Sequence, residues 1–139
     1  MKHDMSYLKD LPIAVLGGGA VGKTCAADMK LAGREVRLYS RTPKAVANLD
    51  KTGILLDGVQ RNLYGFERSG RAFLDLASTD MAEVVKGAGL IVIGITANAQ
   101  EHYLRTLVPL LEDGQVIHIL PDNCGTFVFR KLMREMNCT

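Results

Sequence analysis

The segment Leu16-Gly17-Gly18-Gly19-Ala20-Val21-Gly22-Lys23-Thr24 holds the residues whose types and spacing best suit chemistry. Gly17, Gly19 and Gly22 fit the spacing G-x-G-x-x-G. In that pattern the first glycine makes a tight turn and the second lets a pyrophosphate approach the backbone. The third lets the following helix pack against the preceding strand. The helix N-terminus then offers unbonded N–H groups and a partial positive charge to phosphates. The same stretch also fits G-x-x-x-x-G-K-S/T, in which Lys23 would reach terminal phosphates and Thr24 would hold Mg²⁺. Local spacing does not decide between a dinucleotide and a nucleoside triphosphate.

Downstream residues weigh on the choice. A triphosphate hydrolase of this kind needs a carboxylate at the end of a buried strand to organise its metal. The run Leu90-Ile91-Val92-Ile93-Gly94-Ile95-Thr96 ends without one, and Asp57, before Gly58, reads as a turn aspartate. The dinucleotide reading is favoured. There, the end of a second strand meets the adenosine ribose, and an Asp or Glu would hold the 2′-hydroxyl of NAD. Here the residues are Tyr39-Ser40-Arg41-Thr42. No carboxylate is present, and a guanidinium matches the geometry and charge of a 2′-phosphate. NADP is the expected cofactor, with NAD admissible. The blander alternatives are a solvated loop arginine and a glycine turn without ligand.

The elements that must position these residues alternate. Pro12 to Leu16 suits a buried strand. Ala20 to Ala32 has Val21, Cys25, Met29 and Ala32 on one helical face, closed by Gly33. Glu35 to Ser40 alternates as a strand, and Thr42-Pro43 opens a helix through about Leu49. Residues 53 to 70 are the least regular: Ile54-Leu55-Leu56 and Val59 to Phe66 form a hairpin or a short excursion. Ala72 to Leu76 is a further strand. Asp80 with Glu83 starts a capped helix, and Leu90 to Ile95 is the clearest buried strand. Leu104, Leu107, Val108 and Leu111 mark a helix from Ala99 to Leu111, Val116 to Leu120 a strand, and Thr126 to Met136 a last helix. Strands separated by helices pair in parallel through crossovers. The expected fold is a single α/β domain, a Rossmann-like doubly wound parallel sheet over residues 1–139.

The ordered set of segments resembles the N-terminal domain of the octopine/nopaline (opine) dehydrogenase family. More broadly it is similar to ketopantoate reductases and 6-phosphogluconate dehydrogenases. The carrying residues are Ile13 to Gly22, then Gly33-Arg34-Glu35-Val36 leading into Ser40-Arg41-Thr42. Val85 to Val92, Thr96-Ala97 followed by His102, Asp113 to Val116, and Leu120-Pro121 complete the set. Thr96-Ala97 resembles the family's nicotinamide-side loop. Asp122 after Pro121, where the family has glycine, and Lys23-Thr24 after the glycines are departures. The resemblance implies a cofactor-binding site of Gly17, Gly18, Gly19, Ala20, Val21, Gly22, Ser40, Arg41, Thr42, Thr96 and Ala97. It also implies reductive condensation of an amino acid with a 2-oxo acid in the full enzyme. The chain is expected to lack the family's helical C-terminal substrate domain and, with it, the catalytic residues; no paired acid and base are visible in the sequence. The partner is then the dinucleotide, with a small-molecule substrate only when a second domain is present. Homodimerisation is compatible with this. A non-enzymatic nucleotide-sensing module is the other alternative to a P-loop hydrolase.

The chain has 139 residues with 47% apolar, 23% charged and a net charge of +2. This is the composition of an ordinary globular domain with no general attraction to nucleic acid or anionic membrane. No apolar stretch reaches the length of a membrane helix. Cys25, Cys124 and Cys138 form no C-x-x-C pair, so no disulfide framework and no metal site is expected, and a reducing cytoplasm is the default setting. His102 reads as a partly exposed helix residue near the cofactor loop. His118 reads as structural within a buried strand, and His3 belongs to a loose terminus. Cys124 is a packed or idle thiol, and Arg61, Arg68 and Arg71 are a solvated face.

Overall fold

The central strand, β1 (Ile13–Leu16), is buried along its whole length because it is covered on both faces and paired on both edges. The computed structural model describes residues 4–57 and 68–138. β1 is followed by α1 (Ala20–Leu31), β2 (Val36–Tyr39) and two short helices, α2 (Pro43–Val46) and α3 (Leu49–Thr52). A two-stranded antiparallel hairpin, β3 (Ile54–Leu56) with β4 (Gly70–Ala72), stands apart from the main sheet. The chain returns through β5 (Leu76–Ser78), α4 (Met81–Val85), β6 (Leu90–Gly94), α5 (Ala97–Leu107), β7 (Val116–Leu120) and α6 (Gly125–Glu135).

The five-stranded sheet has the order β5-β2-β1-β6-β7, and every pair is parallel. The chain runs one way from β1 through β2 to β5, then crosses to the other side of β1 for β6 and β7. The carboxyl ends of β1 and β6 therefore flank a topological switch point, where doubly wound sheets bind ligands. Alternate residues of β1 serve the two layers. Ala14 and Leu16 pack with α4, α5 and α6 through Val84, Leu104, Leu107 and Leu132. Ile13 and Val15 pack on the other face with Ala26 of α1 and Leu49 of α3.

Several expectations are corrected. In α1 the buried residues are Gly22, Ala26 and Ala27, whereas Val21 is 48% exposed. Small residues let the helix lie close on the sheet, so its contact stripe is displaced from the one that larger apolar residues suggest. The helix expected to run from Thr42-Pro43 to Leu49 breaks after Val46, because Asn48 takes a left-handed conformation (φ 60°) that asparagine tolerates. Ala72 to Leu76 is not one strand: Ala72 ends the hairpin and Leu76 begins the edge of the main sheet. The helix expected over Ala99 to Leu111 starts at Ala97 and ends at Leu107, with a 3-10 turn at Val108–Leu110 accommodating Pro109. His118 is exposed, since β7 is an edge strand rather than a fully covered one. Arg68 and Arg71 do more than solvate a face. Arg68 pairs with Asp28 of α1 at 2.8 Å and Arg71 donates to the Thr52 carbonyl, which ties the hairpin region to α1 and α3. Val59 to Phe66, Arg61 and His3 lie outside the described residues.

Candidate cofactor site

Parallel register brings the site together. Leu16 is level with Tyr39 on one side and with Ile93 on the other. The next residues, Gly17, Ser40 and Gly94, therefore emerge side by side, and the Gly17 N–H still donates to the Tyr39 carbonyl at 2.9 Å. A cleft of about 720 Å³ opens beyond these strand ends. That volume is in the range of small-molecule and cofactor sites.

The glycine loop forms one wall. Gly17 has φ 128°, and a Cβ there would stand 2.5 Å from the Gly94 carbonyl oxygen. A Cβ on Gly22 would overlap the Gly17 carbonyl oxygen, so α1 can start this close to the loop only with glycine at that position. Gly18 faces Ser40 and Ala45, whereas a Cβ on Gly19 would meet nothing within 4 Å. Gly17, Gly18, Gly19, Ala20 and Val21 line the cleft, and Gly22 lies beneath it, in the packing position of the third glycine.

The helix starts differ in how their backbone is satisfied. α4 is capped by Asp80, whose carboxylate accepts from Ala82 and Glu83. In the first turn of α6, Thr126 N–H donates to Asp122 at 2.8 Å. α1 and α5 begin at the cleft, at Gly19 and Thr96, and neither has a side-chain cap. No side chain therefore caps the first N–H groups at either start, and both positive dipole ends adjoin the cleft.

Ser40, Arg41 and Thr42 form the wall at the end of β2. Ser40 is 4% exposed, and its Oγ accepts from the Thr42 N–H at 3.2 Å. Arg41 is exposed and makes no ion pair among the described residues. Burial, then neighbouring Tyr103, pushes the Tyr39 phenol above its ordinary value; the Arg41 charge acts against this rise, and Asp80 adds to it.

The far wall comes from Thr96 and Ala97 at the start of α5 and from Pro121 and Asn123 after β7. Gln100 is 3% exposed and its Nε2 donates to the Pro121 carbonyl at 2.8 Å, which anchors that loop to α5. Tyr103, one turn further along α5, also lines the cleft. His102 does not: it is exposed, with its ring 6.3 Å from that of Tyr103. Cys124 is exposed next to Asn123 without lining the cleft.

The lining also includes residues that the sequence reading did not place in the site, Gly94, Tyr103 and Asn123 among them. Gly94 did carry a signal, since a glycine inside an apolar strand marks close backbone approach; here it faces Gly22. Tyr103 was hidden in a helical stripe, and Asn123 in a turn.

The alternative triphosphate geometry is not present. α1 starts at Ala20, so the Lys23 N–H is already spent on the Gly19 carbonyl at 3.0 Å. Neither Lys23 nor Thr24 lines the cleft. Asp57 follows β3, which belongs to the separate hairpin and not to the main sheet.

The family model described as ketopantoate reductase PanE/ApbA matches residues 13–122. A glycerol-3-phosphate dehydrogenase [NAD(P)+] of Moorella thermoacetica is 32% identical over 76% of this chain and 29% of its own length. An opine dehydrogenase of an Arthrobacter species is 28% identical over 88% of this chain and 33% of its own. The chain thus spans about a third of the length of the curated relatives it matches. Among solved structures, an octopine dehydrogenase in complex with NADH and agmatine aligns over 88% of this chain and 32% of its own, with a TM-score of 0.72 and 21% identity. A glycerol-3-phosphate dehydrogenase from Coxiella burnetii aligns over 89% of this chain and 38% of its own, with a TM-score of 0.68 and 22% identity. These likenesses agree with the Rossmann-like fold.

Proposed function

This chain belongs to the ketopantoate reductase PanE/ApbA family, and from that premise we propose that its cleft holds NADP(H) for an opine-dehydrogenase-like oxidoreductase. It is an NAD(P)-binding domain of the dehydrogenase kind. The observation that carries the reading is the cleft at the switch point. There the uncapped start of α1 faces open space and Arg41 stands unpaired, among the described residues, at the end of β2.

In this reading the pyrophosphate lies against Gly18 and Gly19 and takes the N–H groups of the first turn of α1. Gly17 and Gly22 supply the backbone shape. Ser40, Arg41 and Thr42 receive the 2′-phosphate, by charge from Arg41 and by hydroxyl donation from the other two. Thr96 and Ala97 border the nicotinamide end. When bound, the cofactor supplies the hydride. These residues bind and orient it. The substrate we assign, by likeness to opine dehydrogenase, is the imine of an amino acid and a 2-oxo acid. Its pocket would come from chain beyond this domain. Three free cysteines, Cys25, Cys124 and Cys138, are in keeping with a reducing cytoplasm. No helix among the described residues is long and apolar enough to cross a membrane.

The test is cofactor choice. The parent should bind NADPH about ten- to a hundredfold more tightly than NADH, the worth of one hydrogen-bonded charge contact, and salt should erode the preference. Ser40→Asp combined with Arg41→Ala should reverse it by supplying a diol acceptor and repelling the phosphate. Equal dissociation constants for the two cofactors in the parent would remove Arg41 from the reading.

A further inference from the structure

We infer that Tyr103 is a specificity-determining residue of this cleft, its phenolic hydroxyl donating to the phosphate on the 2′-carbon of the adenosine ribose. The inference rests on the cofactor reading above and adds a contact from a different element.

Tyr103 stands on α5, 62 residues along the chain from Arg41, yet its hydroxyl oxygen lies 3.5 Å from the Arg41 backbone nitrogen. The residue is 6% exposed and lines the cleft. Its ring meets that of Tyr39 edge to face, with centroids 5.5 Å apart and planes at 70°. The surrounding cluster includes Met81, Leu104 and Leu107, so the ring cannot swing away without opening the core.

The hydroxyl chemistry is one-sided. A phenol has one hydrogen to donate and lone pairs to accept. The Arg41 N–H uses only a lone pair, and at the long limit of a hydrogen bond. No described residue accepts the phenolic hydrogen, although no buried side-chain polar atom among them is left wholly without a partner. A donor is therefore held by core packing beside Ser40, Arg41 and Thr42, with its hydrogen uncommitted. A 2′-phosphate brings only charged acceptors to that point and takes the hydrogen in a charge-assisted bond. A 2′-hydroxyl forms only the weaker neutral bond. The phenol thus discriminates between the two cofactors where the guanidinium alone contributes an exposed, screened charge.

Tyr103→Phe removes the oxygen and keeps the ring. Calorimetric titration of the full chain with adenosine 2′,5′-bisphosphate and with 5′-AMP isolates the 2′-phosphate from the rest of the cofactor. The variant should lose about ten-fold in affinity for the bisphosphate and change by less than about two-fold for 5′-AMP. An unchanged bisphosphate-to-AMP ratio, or an equal loss for both ligands, overturns the role of Tyr103 and leaves the cofactor reading intact. A folded parent that binds neither ligand overturns the cofactor reading and this inference with it. Should circular dichroism show that the variant does not fold, the ultraviolet difference spectrum of the parent decides. A tyrosine perturbation with the bisphosphate and none with 5′-AMP supports the contact; the same spectrum with both ligands overturns it.

Discussion

Replacing Gly19 by valine should separate folding from binding. Gly19 has an extended backbone, φ −82° and ψ −172°, which a β-branched residue adopts without strain. A Cβ at this position meets no atom within 4 Å. The cost to folding is then that of a poorer helix N-cap, about 1 kcal/mol. Binding answers to different physics. The open space beside Gly19 is the cleft, where a pyrophosphate would lie against the first N–H groups of α1. The isopropyl group occupies that space. Loss of two charge-assisted hydrogen bonds at roughly 1.5–3 kcal/mol each amounts to about 3–6 kcal/mol, a fall in affinity of a hundredfold or more. The assay is fluorescence titration with NADPH, with far-ultraviolet circular dichroism and thermal melts as the folding check. Gly17→Ala serves as the contrast. It places a Cβ 2.5 Å from the Gly94 oxygen on a residue at φ 128°, so it should damage the fold itself. A folded Gly19→Val protein that binds NADPH as tightly as the parent would refute the assignment of the phosphate site to this loop.

Two further outcomes follow from the geometry. Lys23→Ala should leave NADPH affinity within about three-fold of the parent, because in the proposed reading backbone N–H groups and the helix terminus would hold the phosphates, and Lys23 does not line the cleft; a collapse of binding in the same titration would contradict this. Asp75 accepts two bonds from Lys30 Nζ, at 2.8 and 2.7 Å, and one from the Val36 N–H at 2.8 Å. Burial raises its pKa, but the Lys30 bond, the Val36 N–H and the Lys30 charge outweigh that and hold the carboxyl below the ordinary 3.8. A lowered folded-state value means that the stabilisation is fully present above that ordinary value and disappears as pH falls through the lower one. Asp75→Asn should therefore cost about 1 kcal/mol at neutral pH, a modest figure because the pair is partly exposed and screened. The gap between parent and variant urea midpoints should close below the ordinary aspartate range, and a gap that stays constant through acid would show that the charge is not what matters.

The sequence by itself determined the alternation of strands and helices and the place of the glycine loop within it. Continuous apolar runs such as Leu90 to Ile93 read as strands buried on both faces, and glycines at fixed spacing mark backbone geometry that other residues resist. The ends of β1, β2 and β6 were also legible, because parallel pairing of consecutive units brings their carboxyl termini to one edge. Other features were decided only in three dimensions. The buried stripe of α1 runs through Gly22, Ala26 and Ala27, since close approach to the sheet selects small residues that hydropathy underweights. His118 is exposed because β7 lies at the sheet edge, and no local pattern states which strand is last. The breaks at Asn48 and between Ala72 and Leu76 come from one backbone torsion and from a change of sheet, neither of which alters composition. Lys23 and Thr24 completed a second motif in sequence. They lost it in space because α1 begins at Ala20 and turns them out of the cleft. Tyr103 gained its place beside Arg41 through the packing of α5 across the sheet against Tyr39. That proximity is a property of the layered fold: residues distant in sequence meet where two elements share a face, and only tertiary packing settles which ones do.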